Sequence, residues 1–203
     1  MKQKSSSTRV PMKHLATVAL MLNLGVGGVY AQEIPVKMRF SGTNVATTIN
    51  LQPGTVTDEE HFAGNGTLGR FTFRQLRADV FPFPGQPPST CSPPSRLYFP
   101  VARGGGVFRF PNGSLLKVGI TGGAYCIDLT DLTAPVGNLT VAYQITGGTG
   151  RFKGASGALT LNSTLTPVVL AVDNSAKLLT NTGTFEGTVF GAAIDDERDD
   201  ERQ

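Results

Sequence analysis

GGTGRFKGASG, residues 147–157, lies between two alternating segments, NLTVAYQIT (138–146) before it and ALTLNST (158–164) after it. Its glycines, Gly147, Gly148, Gly150, Gly154 and Gly157, crowd the reversal and the step that follows it. Glycine tolerates φ > 0, so a cluster of this kind marks a tight corner between antiparallel strands. A phosphate-binding loop is excluded on local grounds. A dinucleotide fingerprint needs GxGxxG opening a helix, and a P-loop needs GK followed by Ser or Thr. Here the residues after the corner alternate like a strand.

The same period-two pattern recurs outward in both directions. Leu139, Val141, Tyr143 and Ile145 share one face; Phe71 and Phe73 face away from Arg70, Thr72 and Arg74; Phe108 and Phe110 oppose Arg109. Leu116, Val118 and Ile120 oppose Lys117, and Phe185 opposes Glu186. Such alternation means strands with one buried face. It predicts strands near 35–41, 44–51, 67–76, 96–102, 105–110, 114–121, 124–130, 138–146, 157–164, 166–173 and 183–191. Short strands joined by Gly-rich turns imply a sandwich or a closed barrel. Composition agrees: 25 Gly, 13 Pro, no Trp and only 16% charged residues leave no segment with a sustained helical period. Arg39, Arg74, Arg109 and Lys117 fall on the polar phase, which faces solvent if the interior is apolar.

The ends differ from the middle. Residues 1–31 read as a cleaved export signal. Lys2, Lys4, Arg9 and Lys13 precede an uncharged apolar stretch from Leu15 to Val29, and Val29 and Ala31 supply small residues for cleavage before Gln32. The stretch is shorter than the ~20 residues of a membrane span, so no span is expected after its removal. The predicted location is secreted or periplasmic. Four of the 18 Lys and Arg lie in this leader, leaving 14 against 15 Asp and Glu. A basic surface for nucleic acid is therefore not expected. Residues 195–203, DDERDDERQ, read as a solvated acidic tail. Residues 32–194 make one domain.

Little chemistry is carried by motif. The mature part has one histidine, His61, in DEEHF, which reads as a solvated loop residue. No CxxC pair and no histidine set exists for a metal, no GxSxG elbow occurs, and no cofactor is indicated. Asp128 and Asp131 sit three apart, on opposite faces of an extended strand. Four Asn-x-Ser/Thr triplets, at Asn65, Asn112, Asn138 and Asn162, are glycan acceptors only in a eukaryotic secretory pathway. The chain has two cysteines, Cys91 in the proline-rich stretch PFPGQPPSTCSPP (82–94) and Cys126 in AYCIDL. Export and an even count favour a disulfide between them, with a reactive free thiol as the alternative.

At ITGGTGRFKGASGALTL the chain resembles the allene oxide cyclase and dirigent-protein superfamily, and a group of bacterial exported proteins of the same barrel type. The match rests on Gly147, Gly148, Gly150 and Phe152, followed by Ala155 and Gly157. It is tightest over 138–164 and looser over 105–191. The resemblance implies an all-β antiparallel barrel of about eight strands with an apolar cavity, forming a homotrimer in many members. It implies turn-shaping glycines and a Phe152 that caps one barrel end. Plant members hold a reactive lipid or phenolic intermediate and steer its cyclisation or coupling through residues on other strands, so no residue role passes to this chain. The expected function is binding of a small apolar ligand in the barrel, with or without steering its reaction. Arg109, Tyr143 and Asp128 are the pocket candidates. Two rivals stand beside it: a non-catalytic envelope or surface-interaction protein with a side-chain-filled barrel, and a cyclase-type isomerase.

Overall fold

The computed structural model describes residues 33–80, 91–172 and 175–193, without the side chain of Arg96. The leader (1–31), the acidic tail and most of the proline-rich stretch lie outside the described residues.

Eight long strands follow one another: β1 (Glu33–Thr47), β2 (Thr55–Gly66), β3 (Phe71–Val80), β4 (Ser95–Arg109), β5 (Leu115–Asp128), β6 (Val136–Thr149), β7 (Ser156–Leu170) and β8 (Ala176–Phe190). Each pairs antiparallel with the next, and β1 also pairs with β8, closing the barrel. Closure pairs every strand of the described residues on both sides, so the sheet they form has no free edge.

The eleven expected segments thus resolve into eight. Most of the excess came from reading glycines and bulges inside one strand as breaks between two. Gly104 to Gly106 join 96–102 to 105–110 within β4, and a register shift at Ile120/Gly122 lies within β5. In β1, Gly42 is where the next strand presses closest: a Cβ there would lie 2.0 Å from the His61 carbonyl oxygen. Pro167 sits at a bulge inside β7. The segment 67–76 is displaced, since 67–70 form a turn. The larger correction is β2, TVTDEEHFAGNG, which acidic composition made look like a loop. It is a full strand whose charged residues divide between the two faces.

Inside, Phe40, Phe62, Phe71, Phe73, Phe108 and Phe185 pack ring against ring, with centroids 4.2–6.5 Å apart. Phe73, Phe108 and Phe185 are at most 1% exposed. Phe185 on β8 lies within 6.5 Å of five of these rings and 6.2 Å from Tyr143, so it ties the two sides of the barrel together.

The glycine corner closes one end. After β6 a single 3-10 turn, Gly150–Phe152, folds across the opening. Phe152 is fully buried, 4.8 Å from Phe110, and the Arg151 guanidinium lies over both rings. Arg151 also donates to the Leu68 carbonyl, and its own carbonyl accepts from the Ala193 amide at 2.9 Å. Gly150 holds φ +57, and a Cβ there would meet Ser114 Oγ at 2.4 Å. Both conformation and space therefore demand glycine.

Candidate functional site

Charge lies inside the barrel, on the side of the aromatic cluster away from the glycine corner. Register explains how it got there. Across β2 and β3, Phe62 opposes Phe73, Glu60 opposes Gln75 and Asp58 opposes Arg77, so the inward phase that begins apolar continues as polar and then charged. Arg77 and Glu60 are both 0% exposed.

Arg77 is the hub. Its Nη1 donates to Glu60 Oε1, its Nη2 to Asp58 Oδ2 at 3.0 Å and Asp79 Oδ2 at 2.9 Å, and its Nε to Asp79 Oδ1 at 3.0 Å. A guanidinium presents five donors in a fixed fork, so one side chain can serve three carboxylates. Glu60 also accepts from Gln75 Nε2 at 2.6 Å and Asn44 Nδ2 at 3.0 Å. Gln75 Oε1 in turn accepts from the Tyr143 hydroxyl at 2.7 Å. A relay thus runs from the aromatic core to the charged hub. The Tyr125 ring lies 5.6 Å from the guanidinium.

One cation faces three carboxylates. Burial pushes the Glu60 carboxyl above its ordinary range, against the pull of Arg77 and Gln75. Burial likewise raises Asp58, with Arg77 opposing and Asp79 reinforcing. For Arg77, burial favours loss of the proton, but Asp79, Glu60 and Asp58 outweigh it and hold the guanidinium well above its usual value. Burial raises both Tyr143 and Tyr125, so their hydroxyls stay protonated. Such shifts mark functional sites and structural ion networks alike. Asn181, 0% exposed, has no partner for either side-chain polar atom, and neither has Asn44 Oδ1.

The outer face carries a second candidate. A groove of about 870 Å³ runs over β5–β8 beside Ser92–Ser95. Its floor is made by outward side chains, Asn138 and Thr140 on β6, Asn162 and Thr164 on β7, and Thr182 and Thr184 on β8. The wall is held by a disulfide: Cys91 and Cys126 are bonded, their Cα atoms 5.7 Å apart, and they pack with Ala124 and Tyr98.

The three residues singled out from the sequence lie in three places. Tyr143 points inward and joins the relay. Asp128 lines the outer groove, where its Oδ1 accepts from the Thr130 amide at 2.8 Å. Arg109 is exposed, beside a separate cleft of about 480 Å³ that Arg70 and Phe110 also line. Arg39, Arg74 and Lys117 are exposed as expected. His61 is solvated too, but on the outside of β2, where Nε2 lies 2.9 Å from Glu59 Oε1 and Arg74 bonds the same oxygen at 2.6 Å.

The interior polar network has no obvious signature in the sequence, because Asp58, Glu60, Arg77 and Asp79 look like surface charge in one dimension. The signal that could have found it was alternation: Phe71, Phe73, Gln75, Arg77 and Asp79 are all odd, on one pleat. Folding turns three acids inward with one base and so leaves the surface more basic than composition suggests. Among the described residues no group of three or more His, Cys, Asp or Glu is arranged to hold a metal ion, and no helix is long and apolar enough to cross a membrane. No protein-family model matches the chain, and no curated protein sequence is significantly similar to it.

Proposed function

We propose that this chain is an exported, non-catalytic binding protein of the allene oxide cyclase/dirigent-like barrel type. In this reading its interior is a scaffold filled by side chains, and recognition takes place outside. One observation carries the reading. The space where a barrel of this kind would hold an apolar ligand is occupied by six phenylalanines and Tyr143, and the space beyond them by the Arg77 network. An eight-stranded barrel has an interior just wide enough for side chains or for one small ligand, so filling by the former supports the scaffold reading. Export is supported by the leader and by the Cys91–Cys126 disulfide, a bond that persists in oxidising compartments. Amino-terminal sequencing of the exported protein is expected to begin at or near Gln32, and an intact Met1 there would contradict export.

A second reading keeps a small ligand inside the barrel, with or without steering its cyclisation. The buried, unpartnered amide of Asn181 favours it, since a buried polar group without a partner is costly. Titration of the mature protein with the fluorescent fatty acid cis-parinaric acid separates the two. The scaffold reading expects no saturable binding. Saturable binding that Asn181→Leu or Tyr143→Phe weakens would overturn it.

A further inference from the structure

We infer that the outer groove over β5–β8 binds a neutral, hydroxyl-rich ligand, an oligosaccharide chain. This rests on the reading that recognition is external, and it names the ligand class.

The argument begins with register. Asn138 opposes Thr164, which opposes Thr182; one pleat along, Thr140 opposes Asn162, which opposes Thr184. The floor is therefore two rows of three side chains. Strands lie ~4.8 Å apart and same-face residues ~6.7 Å apart along a strand, so the array covers roughly 10 Å by 7 Å. Each member is a hydroxyl or a primary amide, and each both donates and accepts hydrogen bonds. Among the described residues one bond joins members of the floor, Thr140 Oγ1 donating to Asn162 Oδ1 at 3.1 Å.

A ligand matched to this floor must itself present donors and acceptors at close intervals, as sugar hydroxyls do. Charge narrows the class. Among the described side chains the groove's one charged group is the Asp128 carboxylate, which would repel an anionic chain. That carboxylate instead suits hydroxyl donors. Tyr98 supplies an aromatic side chain at the wall, where a sugar ring can pack its C–H face. At about 870 Å³ the groove falls in the size range of ligand sites. The disulfide next to Ser92 holds that wall in place before binding, which lowers the ordering cost.

The test is isothermal titration of the mature protein with cellohexaose, maltohexaose and chitohexaose, and with an alginate hexamer as the anionic counterpart. At least one neutral hexamer is expected to bind with a dissociation constant of about 1 mM or tighter. Asn162→Ala and Thr184→Ala should each weaken it about tenfold with an unchanged circular dichroism spectrum, and Lys153→Ala should not. If no neutral hexamer binds, or only alginate does, the inference is overturned while the external-recognition reading stands. Binding indifferent to both floor variants also overturns it. Saturable cis-parinaric acid binding inside the barrel is the separate result that removes the parent reading.

Discussion

Replacing Arg77 with Met should cost about 3–5 kcal/mol near neutral pH, the usual penalty for removing one partner of a buried ion pair. Five hydrogen-bond contacts disappear with the guanidinium, and Glu60, Asp58 and Asp79 lose their only cation in the network. Domains are held by about 5–15 kcal/mol in total, so the loss is large enough to read and small enough to survive. Its pH dependence is the sharper feature. The native carboxyls of Glu60 and Asp58 sit above their ordinary values, so between those values and the raised ones the folded state binds more protons than the unfolded state. Stability then falls as pH rises through that window and is recovered as pH falls. Without Arg77 the window extends upward, so the variant should lose more near pH 8 than near pH 5, the sign opposite to ordinary acid denaturation. Adding Glu60→Gln removes one stranded charge and should restore about 0.5–3 kcal/mol through coupling. Urea denaturation followed by far-ultraviolet circular dichroism is the suitable assay, since the chain has no Trp. A loss under about 1 kcal/mol, far below the buried-pair penalty, would refute the placement of Arg77 in a water-excluded network, and so would equal losses at both pH values.

Phe185→Ala should destabilise by about 3–5 kcal/mol in the same assay, because a ring touching the whole aromatic cluster leaves a cavity its neighbours cannot fill. Gly150→Val should cost on the order of 1–3 kcal/mol, since a β-branched residue is strained at φ +57, and calorimetry should show the loss in melting temperature. Reducing the Cys91–Cys126 bridge, which closes a separation of 35 residues, should lower stability by about 4 kcal/mol on the chain-entropy account, read as a shift in urea midpoint with and without reductant.

The all-β character is legible because the inward phase is mostly apolar, whereas the length of the strands is not, because glycines and bulges interrupt the alternation within β1, β4, β5 and β7. Leu139, Val141, Tyr143 and Ile145 announce β6 without help, and the glycine corner announces the turn that follows. β2 was not legible, because Asp58, Glu59 and Glu60 in succession hide an alternation that only a partner strand reveals: Glu59 turns out to Arg74, Glu60 in to Arg77. A buried charge is paid for by a residue 17 positions away, and no local pattern encodes that distance. Tyr143 falls on the apolar phase of its strand, and its hydroxyl reaches Gln75 at the junction of aromatic core and polar network. The outer groove had a signal in the adjacent-strand triplets Asn138-Leu-Thr140 and Asn162-Ser-Thr164, but their meeting depends on register, which the triplets themselves do not specify.

Xenon enters apolar cavities that water leaves empty, and it needs no knowledge of the natural ligand. Crystals of the mature protein pressurised with xenon are expected to show no site among the rings of Phe40, Phe62, Phe73, Phe108 and Phe185, because their own contacts fill the barrel. An ordered xenon atom between those rings would reveal a hollow interior, contradict the filled scaffold and return the ligand to the inside of the barrel.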